Sequence, residues 1–189
     1  MKIILASSSP RRKEILSRLN INFIVDFGDF EEPPYSKDSS PDDYCKKLSK
    51  IKVESIFKKY SDRDLIIGAD TIVVIGDDVL GKPSDKKDAF NMLMKLSGKN
   101  HTVITAITIK YKGLYHTFSE STTVQFYNLS DLDVLKYINT QSPYDKAGSY
   151  GIQDYSTIFV KQIKGSYDNV VGFPLSRFYN ELKKINISI

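Results

Sequence analysis

Lys2-Ile3-Ile4-Leu5-Ala6-Ser7-Ser8-Ser9-Pro10-Arg11-Arg12-Lys13 is the stretch from which the rest of the chain is read. Lys2–Ala6 has the apolar composition of a strand, and it breaks into a run of serines followed by proline. Ser9 suits a helix N-cap. Pro10 suits the first helical position, where its missing N–H would lack a partner in any case. The helix is expected from Pro10 to about Leu19, with Ile15, Leu16 and Leu19 as its apolar stripe.

This stretch also contains an electrostatic conflict. Arg11, Arg12 and Lys13 fall in the first helical turn, where the helix dipole disfavours each cation by roughly 0.3–1 kcal/mol. Three together break a local rule without visible compensation, and such breaks often mark function. An anion would resolve the conflict, because backbone N–H groups, serine hydroxyls and two guanidinium forks converge there as a phosphate cradle. A solvated basic turn is the competing reading.

Outward from this start, helices and strands alternate. Gly28 to Ser40 is turn-rich, with Pro33, Pro34 and several acids. A second helix begins at Pro41, capped by Ser40 and favoured by Asp42 and Asp43 in its first turn, with Tyr44, Leu48, Ile51 and Ser55 as its stripe. Leu65–Ala69 and Thr71–Ile75 read as strand. Gly76-Asp77-Asp78 turns them into a short return that ends at Gly81-Lys82-Pro83. Ser84 is expected to cap a third helix with Ala89, Met92, Leu93 and Leu96 inward, closed by Gly98. Thr102–Tyr111 and Leu114–Tyr127 read as long strands joined near Lys112-Gly113. A helix from Ser130 to about Asn139, a strand over Thr157–Ile163 and a last helix from Pro174 complete the series. Crossover and hairpin connections together predict an α/β fold, a mixed sheet flanked by helices. A length of 189 residues fits one domain over 1–189, alone or with two lobes.

Composition narrows the function classes. Hydrophobic residues at 41% and charged residues at 26% are ordinary for a globular protein. The longest apolar runs are too short to cross a bilayer, so no membrane partner is expected. Met1–Ser7 lacks the longer apolar region of a secretory signal, and the expected location is the cytoplasm. A net charge of +4, from 27 Lys and Arg against 23 Asp and Glu, permits an anionic ligand but is too mild to indicate nucleic acid. The single cysteine, Cys45, excludes an intrachain disulfide and a multi-thiolate cluster, and it reads as a small buried hydrophobe. His101 and His116 are too few for a His-rich metal site, and no local motif pairs them with Cys45 or a serine. Any metal should therefore have oxygen ligands, which points to a hard cation such as Mg²⁺.

Several residues stand out against this background. Asp70 lies in Ile66-Ile67-Gly68-Ala69-Asp70-Thr71-Ile72-Val73-Val74, and a carboxylate in an apolar run is costly to bury unless it is paired, hydrogen-bonded or bound to a cation. Gly68 and Ala69 leave room for a ligand to approach the backbone. Asp70 can hold a metal or take a proton from water; a strand-end Asp capping a turn is the alternative. Lys52 falls on an apolar stripe one turn after Leu48 and one before Ile56, where snorkelling is the bland account. Lys82 sits in a turn fixed by Pro83. Glu31-Glu32 reads as a solvated loop, with metal ligation as the other option. The Ser149-Tyr150-Gly151-Ile152-Gln153 turn can present an amide to a base. No P-loop and no GxGxxG is present.

Five segments in register carry a resemblance that covers nearly the whole chain. They are Leu5-Ala6-Ser7-Ser8-Ser9-Pro10-Arg11-Arg12, Gly68-Ala69-Asp70-Thr71, Gly81-Lys82-Pro83, Asp145-Lys146-Ala147-Gly148-Ser149-Tyr150-Gly151-Ile152-Gln153, and Gly165-Ser166-Tyr167 with Val170-Val171-Gly172-Phe173-Pro174-Leu175. Together they resemble the Maf family of nucleotide pyrophosphatases, the septum-formation or house-cleaning proteins. The resemblance implies a two-lobed, ITPase-like α/β fold around a cleft, often dimeric, with a divalent cation, Mg²⁺ or Mn²⁺. It implies a nucleoside triphosphate substrate cut to the monophosphate and pyrophosphate.

By position, Asp70 matches the family's general base. Ser7, Arg12, Lys52 and Lys82 match its phosphate-binding residues, and Glu32 matches an acid near the metal, with Asp70. Arg11, Thr71 and Gln153 match the branch acting on dTTP and UTP; a branch acting on methylated guanosine triphosphate tends to carry a large aromatic, glutamine and glutamate there. Ile15 and Phe173 depart mildly from the leucine common at those places. The family's association with septation makes a non-catalytic nucleotide sensor the competing functional class.

Overall fold

Helix α1 (Pro10–Ser17) follows strand β1 (Ile3–Ala6) directly, which is the arrangement that the serine-proline punctuation implies. The computed structural model describes residues Met1–Ile189. After α1 come β2 (Ile24–Val25), α2 (Pro41–Glu54), β3 (Leu65–Ile75), β4 (Asp78–Leu80) and α3 (Lys86–Leu96). The chain continues through β5 (Asn100–Tyr111), β6 (Leu114–Phe126), α4 (Asp131–Ile138), β7 (Val160–Lys164), α5 (Tyr167–Val171) and α6 (Leu175–Lys184). The strands form one sheet in the order β2-β1-β3-β5-β6-β7, with β4 paired to β3. β1 runs parallel to both β2 and β3, whereas β3–β4 and β6–β7 are antiparallel. Parallel neighbours need crossovers, and α1 and α2 supply them, so the mixed α/β expectation holds.

The chain divides into two compact units. The first comprises Met1–Asp70, Thr105–Glu120 and Gly172–Ile189. A cluster of Ile4, Ala6, Val53, Ile56 and Ile66 seats α2 on β1 and β3, with Phe57 and Tyr60 packed against it. The second unit comprises Thr71–Ile104 and Ser121–Val171. Its core gathers Ala89, Leu93 and Leu96 of α3, Val134, Tyr137 and Ile138 of α4, and Phe126 and Phe159.

Local chemistry decides most element ends. Ser40 accepts from the Asp43 amide at 3.1 Å and Ser130 from the Asp133 amide at 3.2 Å, so both predicted caps form. Each is a residue whose side chain satisfies an otherwise orphaned helix N–H.

Several expectations need correction. α1 ends at Ser17, not Leu19, and Ser9 occupies its N-cap without a side-chain hydrogen bond. α3 is capped by Asp85, which accepts from the Asp88 amide at 2.8 Å. Ser84 instead donates its own N–H to the Asp88 carboxylate at 2.9 Å. An ionised carboxylate one residue further on is the stronger acceptor, and it displaces the serine from the cap. Tyr155–Phe159 is a 3₁₀ turn, so the last strand starts at Val160 instead of Thr157. α2 buries Cys45, Leu48, Ser49 and Val53, a face rotated from the predicted Tyr44–Leu48–Ile51–Ser55 stripe. No helix is long and apolar enough to cross a membrane.

Candidate active site

The site in the first unit is built where α2 crosses β3. A Cβ placed on Gly68 would collide with the Ser49 carbonyl oxygen and lie 2.8 Å from Val53 Cγ2. Glycine thus admits helix backbone against the strand. This corrects the expectation that Gly68 leaves space for a ligand, because α2 already fills it. Lys52 lies on the same helical face, three residues after Ser49, and Asp70 lies two residues after Gly68 on the same side of the strand. The close approach delivers Lys52 Nζ to Asp70 Oδ1, to which it donates a hydrogen bond.

This ion pair is shielded from solvent. The Lys52 side chain is 13% exposed and that of Asp70 8%. Glu32 approaches the same ammonium at 3.7 Å from its more exposed loop. Asp70 sits inside the continuous strand β3, which removes the alternative of a strand-end cap. Tyr44 on α2 donates to the Pro33 carbonyl at 2.9 Å and packs edge-on to Tyr35, tying the acidic loop to the helix. Burial raises the Tyr44 phenol's pKa, and the Glu32 and Asp70 carboxylates add to the shift.

The basic start of α1 has a different anchor. Arg12 Nε donates to the Gly172 carbonyl at 2.9 Å, and Nη1 donates to Ser7 Oγ at 3.2 Å. Ser7 Oγ also accepts from the Ser9 amide at 3.3 Å, so this hydroxyl organises the turn before the helix. No acid stands in the first turn of α1 to offset its cations. Burial lowers the Arg12 guanidinium from its ordinary pKa; the Asp70 charge opposes this first, and Arg11 reinforces it. Arg12 therefore lies within electrostatic reach of Asp70 and, more weakly, Glu32.

Ser7, Arg12, Glu32, Lys52 and Asp70 all belong to this unit, with Arg11 beside Arg12 in the same helical turn. Thr71, Lys82 and Gln153 belong to the second unit. Thr71 is half-buried in β3; Lys82 and Gln153 are exposed. The Gly81 carbonyl accepts from the Gly148 amide at 2.9 Å, fastening the turn that carries Lys82 to the one that precedes Gln153. Beyond β4, Lys82 follows the strand instead of ending it.

Sequence reading missed the Gly172 carbonyl and Tyr44. Gly172 lies in a segment that the reading quoted, but nothing local distinguishes a carbonyl that will accept from an arginine 160 positions away. Cys45 is buried, its Sγ donates to the Asp70 carbonyl at 3.4 Å, and burial pushes its thiol well above the ordinary range. That is the inert, core-like cysteine expected. The two histidines are engaged elsewhere, His101 with Tyr150 and His116 with Glu181.

Comparison with known proteins matches the chain to a family. A protein of Thermosipho africanus (strain TCF52B) named dTTP/UTP pyrophosphatase is 49% identical over 96% of this chain and 92% of its own. Proteins of the same name from Thermoanaerobacter sp. (strain X514) and Bacillus anthracis (strain CDC 684 / NRRL 3495) are 46% and 44% identical. They cover 97% and 100% of this chain, and 96% and 97% of their own. Among solved structures, the Staphylococcus aureus Ham1 protein superposes with a TM-score of 0.53 over 98% of this chain and 100% of its own. At 14% identity, that likeness concerns the fold alone. The family model described as Maf-like protein matches residues 2–185, and the chain belongs to the Maf family.

Proposed function

We propose that this protein hydrolyses dTTP and UTP between the α- and β-phosphates, releasing pyrophosphate and the nucleoside monophosphate. The observation that carries the reading is the shielded Lys52–Asp70 pair with Glu32 beside it, in one unit with the basic start of α1. A buried carboxylate held by a lysine is costly to maintain for stability alone, and such groups cluster at functional sites. The names of the relatives supply the substrate class.

In this scheme Arg11, Arg12, Ser7 and the N-terminus of α1 bind phosphate oxygens. Lys52 and Lys82 offset the charge that develops on the departing pyrophosphate. Asp70 orients the attacking water and accepts its proton at a carboxylate oxygen. Thr71 and Gln153 select the pyrimidine base, the amide of Gln153 offering both a donor and an acceptor.

A divalent cation fits the residues present. Asp70 and Glu32 present only oxygen donors to one shared point, the Lys52 ammonium, and no cluster of three or more acids, histidines or thiols surrounds them. Two carboxylates suit Mg²⁺ or Mn²⁺, which complete their shell with water and phosphate oxygens, better than they suit a closed metal cage. When bound, such a cation supplies charge neutralisation and polarises the attacked phosphorus.

The test is pyrophosphate release from dTTP and UTP with Mg²⁺, run beside dCTP, purine and methylated guanosine triphosphates. Turnover of dTTP and UTP above the rest is expected. Saturable nucleotide binding without product would replace the enzyme with a sensor, and preference for the methylated purine would move the protein to the other branch.

A further inference from the structure

The loop that bears Gln153 is fixed more firmly than an exposed turn requires. Gly151 is held at both its polar atoms by one side chain: its N–H donates to Ser156 Oγ at 2.9 Å, and its carbonyl lies 2.8 Å from the same hydroxyl. Asp154 closes the other end. Its Oδ1 accepts from the Ser156 amide at 3.0 Å and lies 2.6 Å from Ser156 Oγ. Its Oδ2 accepts from Ser142 Oγ and pairs with Lys146 Nζ at 3.2 Å. The Asp154 amide returns to the Gly151 carbonyl at 3.3 Å. Between these two clamps the chain places Ile152 inward, 7% exposed, and Gln153 outward.

The lysine is part of the clamp as well. Lys146 is 11% exposed, donates to the Ser142 carbonyl and pairs with Asp145 at 2.7 Å. Its ammonium is shared among Asp145, Asp154 and the Ser142 carbonyl, so the lysine ties the loop ends together. Its stem lies across Gly151, where a Cβ would sit 2.7 Å from Lys146 Cδ and 2.8 Å from Asp154 Oδ2. A side chain at 151 would have to displace the Lys146 stem and the Asp154 carboxylate, and both carboxylate oxygens of Asp154 are engaged within the loop.

We infer that Asp154, clamped by Lys146, Ser142 and Ser156, is a positioning residue for nucleobase selection, fixing the backbone from which Gln153 presents its amide. The inference rests on the proposed base-reading role of Gln153 and extends it to residues that touch no substrate. A side chain that reads a base edge by hydrogen bonds discriminates only as well as its backbone is held. A displacement of about 1 Å can cost on the order of a hundredfold.

The experiment compares Asp154→Ala, Lys146→Met and Gln153→Ala, singly and with Gln153→Ala combined with Asp154→Ala, in steady-state kinetics with dTTP and dCTP. Asp154→Ala is expected to raise the KM for dTTP by about tenfold or more while kcat changes little, and to narrow the preference over dCTP. Lys146→Met, which keeps the stem over Gly151, should show a smaller shift in the same direction. The double variant should be no worse than Gln153→Ala alone, because the aspartate acts through the glutamine. Thermal unfolding of each variant identifies any that fail to fold, and the folded Lys146→Met then decides the matter. If Gln153→Ala impairs dTTP use but neither clamp variant does, or if the effects simply add, the clamp inference is overturned and the base-reading role stands. If Gln153→Ala leaves dTTP and dCTP kinetics unchanged, the base-reading role falls and takes the inference with it.

Discussion

Gly68 and Ser49 approach so closely that the Ser49 carbonyl oxygen of α2 occupies the space where a side chain on β3 would begin. The functional consequence lies one step along each element, where Lys52 meets Asp70. Gly68→Ala should push helix and strand apart. Overpacking of this kind costs about 1–3 kcal/mol. We expect that loss in chemical denaturation, together with a fall in turnover from a site whose own residues are intact. Wild-type stability and rate in that variant would mean that the contact does not set the pair's geometry.

Asp70 and Lys52 should respond unequally to substitution. Asp70→Asn leaves Lys52 with Glu32 still 3.7 Å away, so the protein should fold. Turnover should drop by about 10²–10⁴-fold, the usual contribution of a general base. Lys52→Met strands a buried carboxylate and should cost up to about 3 kcal/mol in stability as well as activity. Measured unfolding free energies that rank the two the other way round would count against this account.

Arg12 joins the start of α1 to the Gly172 carbonyl with one arm and to Ser7 with the other. Arg12→Ala should lose about 3 kcal/mol of transition-state stabilisation, by analogy with deleting an oxyanion donor. Arg12→Lys keeps the charge, but a single ammonium cannot reproduce the planar fork, so little of kcat/KM should return. Full recovery by lysine would reduce the residue's role to charge alone.

Acid should destabilise the second unit through His101. The ring is buried, accepts or donates at 2.7 Å to Tyr150 and packs edge-on to Phe126. Burial lowers its pKa to about 4. A free histidine titrates near 6.5, so between about 6.5 and 4 the unfolded chain binds a proton that the folded one refuses. Stability is complete above that window and declines as the pH falls through it, by at most about 1.4 kcal/mol per pH unit. His101→Phe should flatten the unfolding free energy over this range; an unchanged slope would assign the acid sensitivity to other groups.

Much of the fold was legible because it depends on residues a few positions apart. The serine-proline punctuation before α1, the Ser40 and Ser130 caps, and the apolar face of α3 are local chemistry. Where the reading failed, two local solutions competed. Ser84 and Asp85 are both competent caps, and only the position of the Asp88 carboxylate decides between them. Asp70 and Lys52 were visible as charges misplaced in apolar patterns, but their pairing was not.

The amino-acid order alone determined the family, the mixed α/β class and the oddity of a carboxylate in a buried strand and cations at a helix start, since these are properties of short windows and of motifs in register. Only the tertiary structure decided that Gly68 serves a helix instead of a ligand, that Arg12 is anchored by a carbonyl 160 positions away, and that the Gln153 loop is clamped at both ends. Each of these depends on backbone atoms from distant segments meeting within a few ångströms, and a carbonyl or an amide is the same at every position until the fold gives it a neighbour.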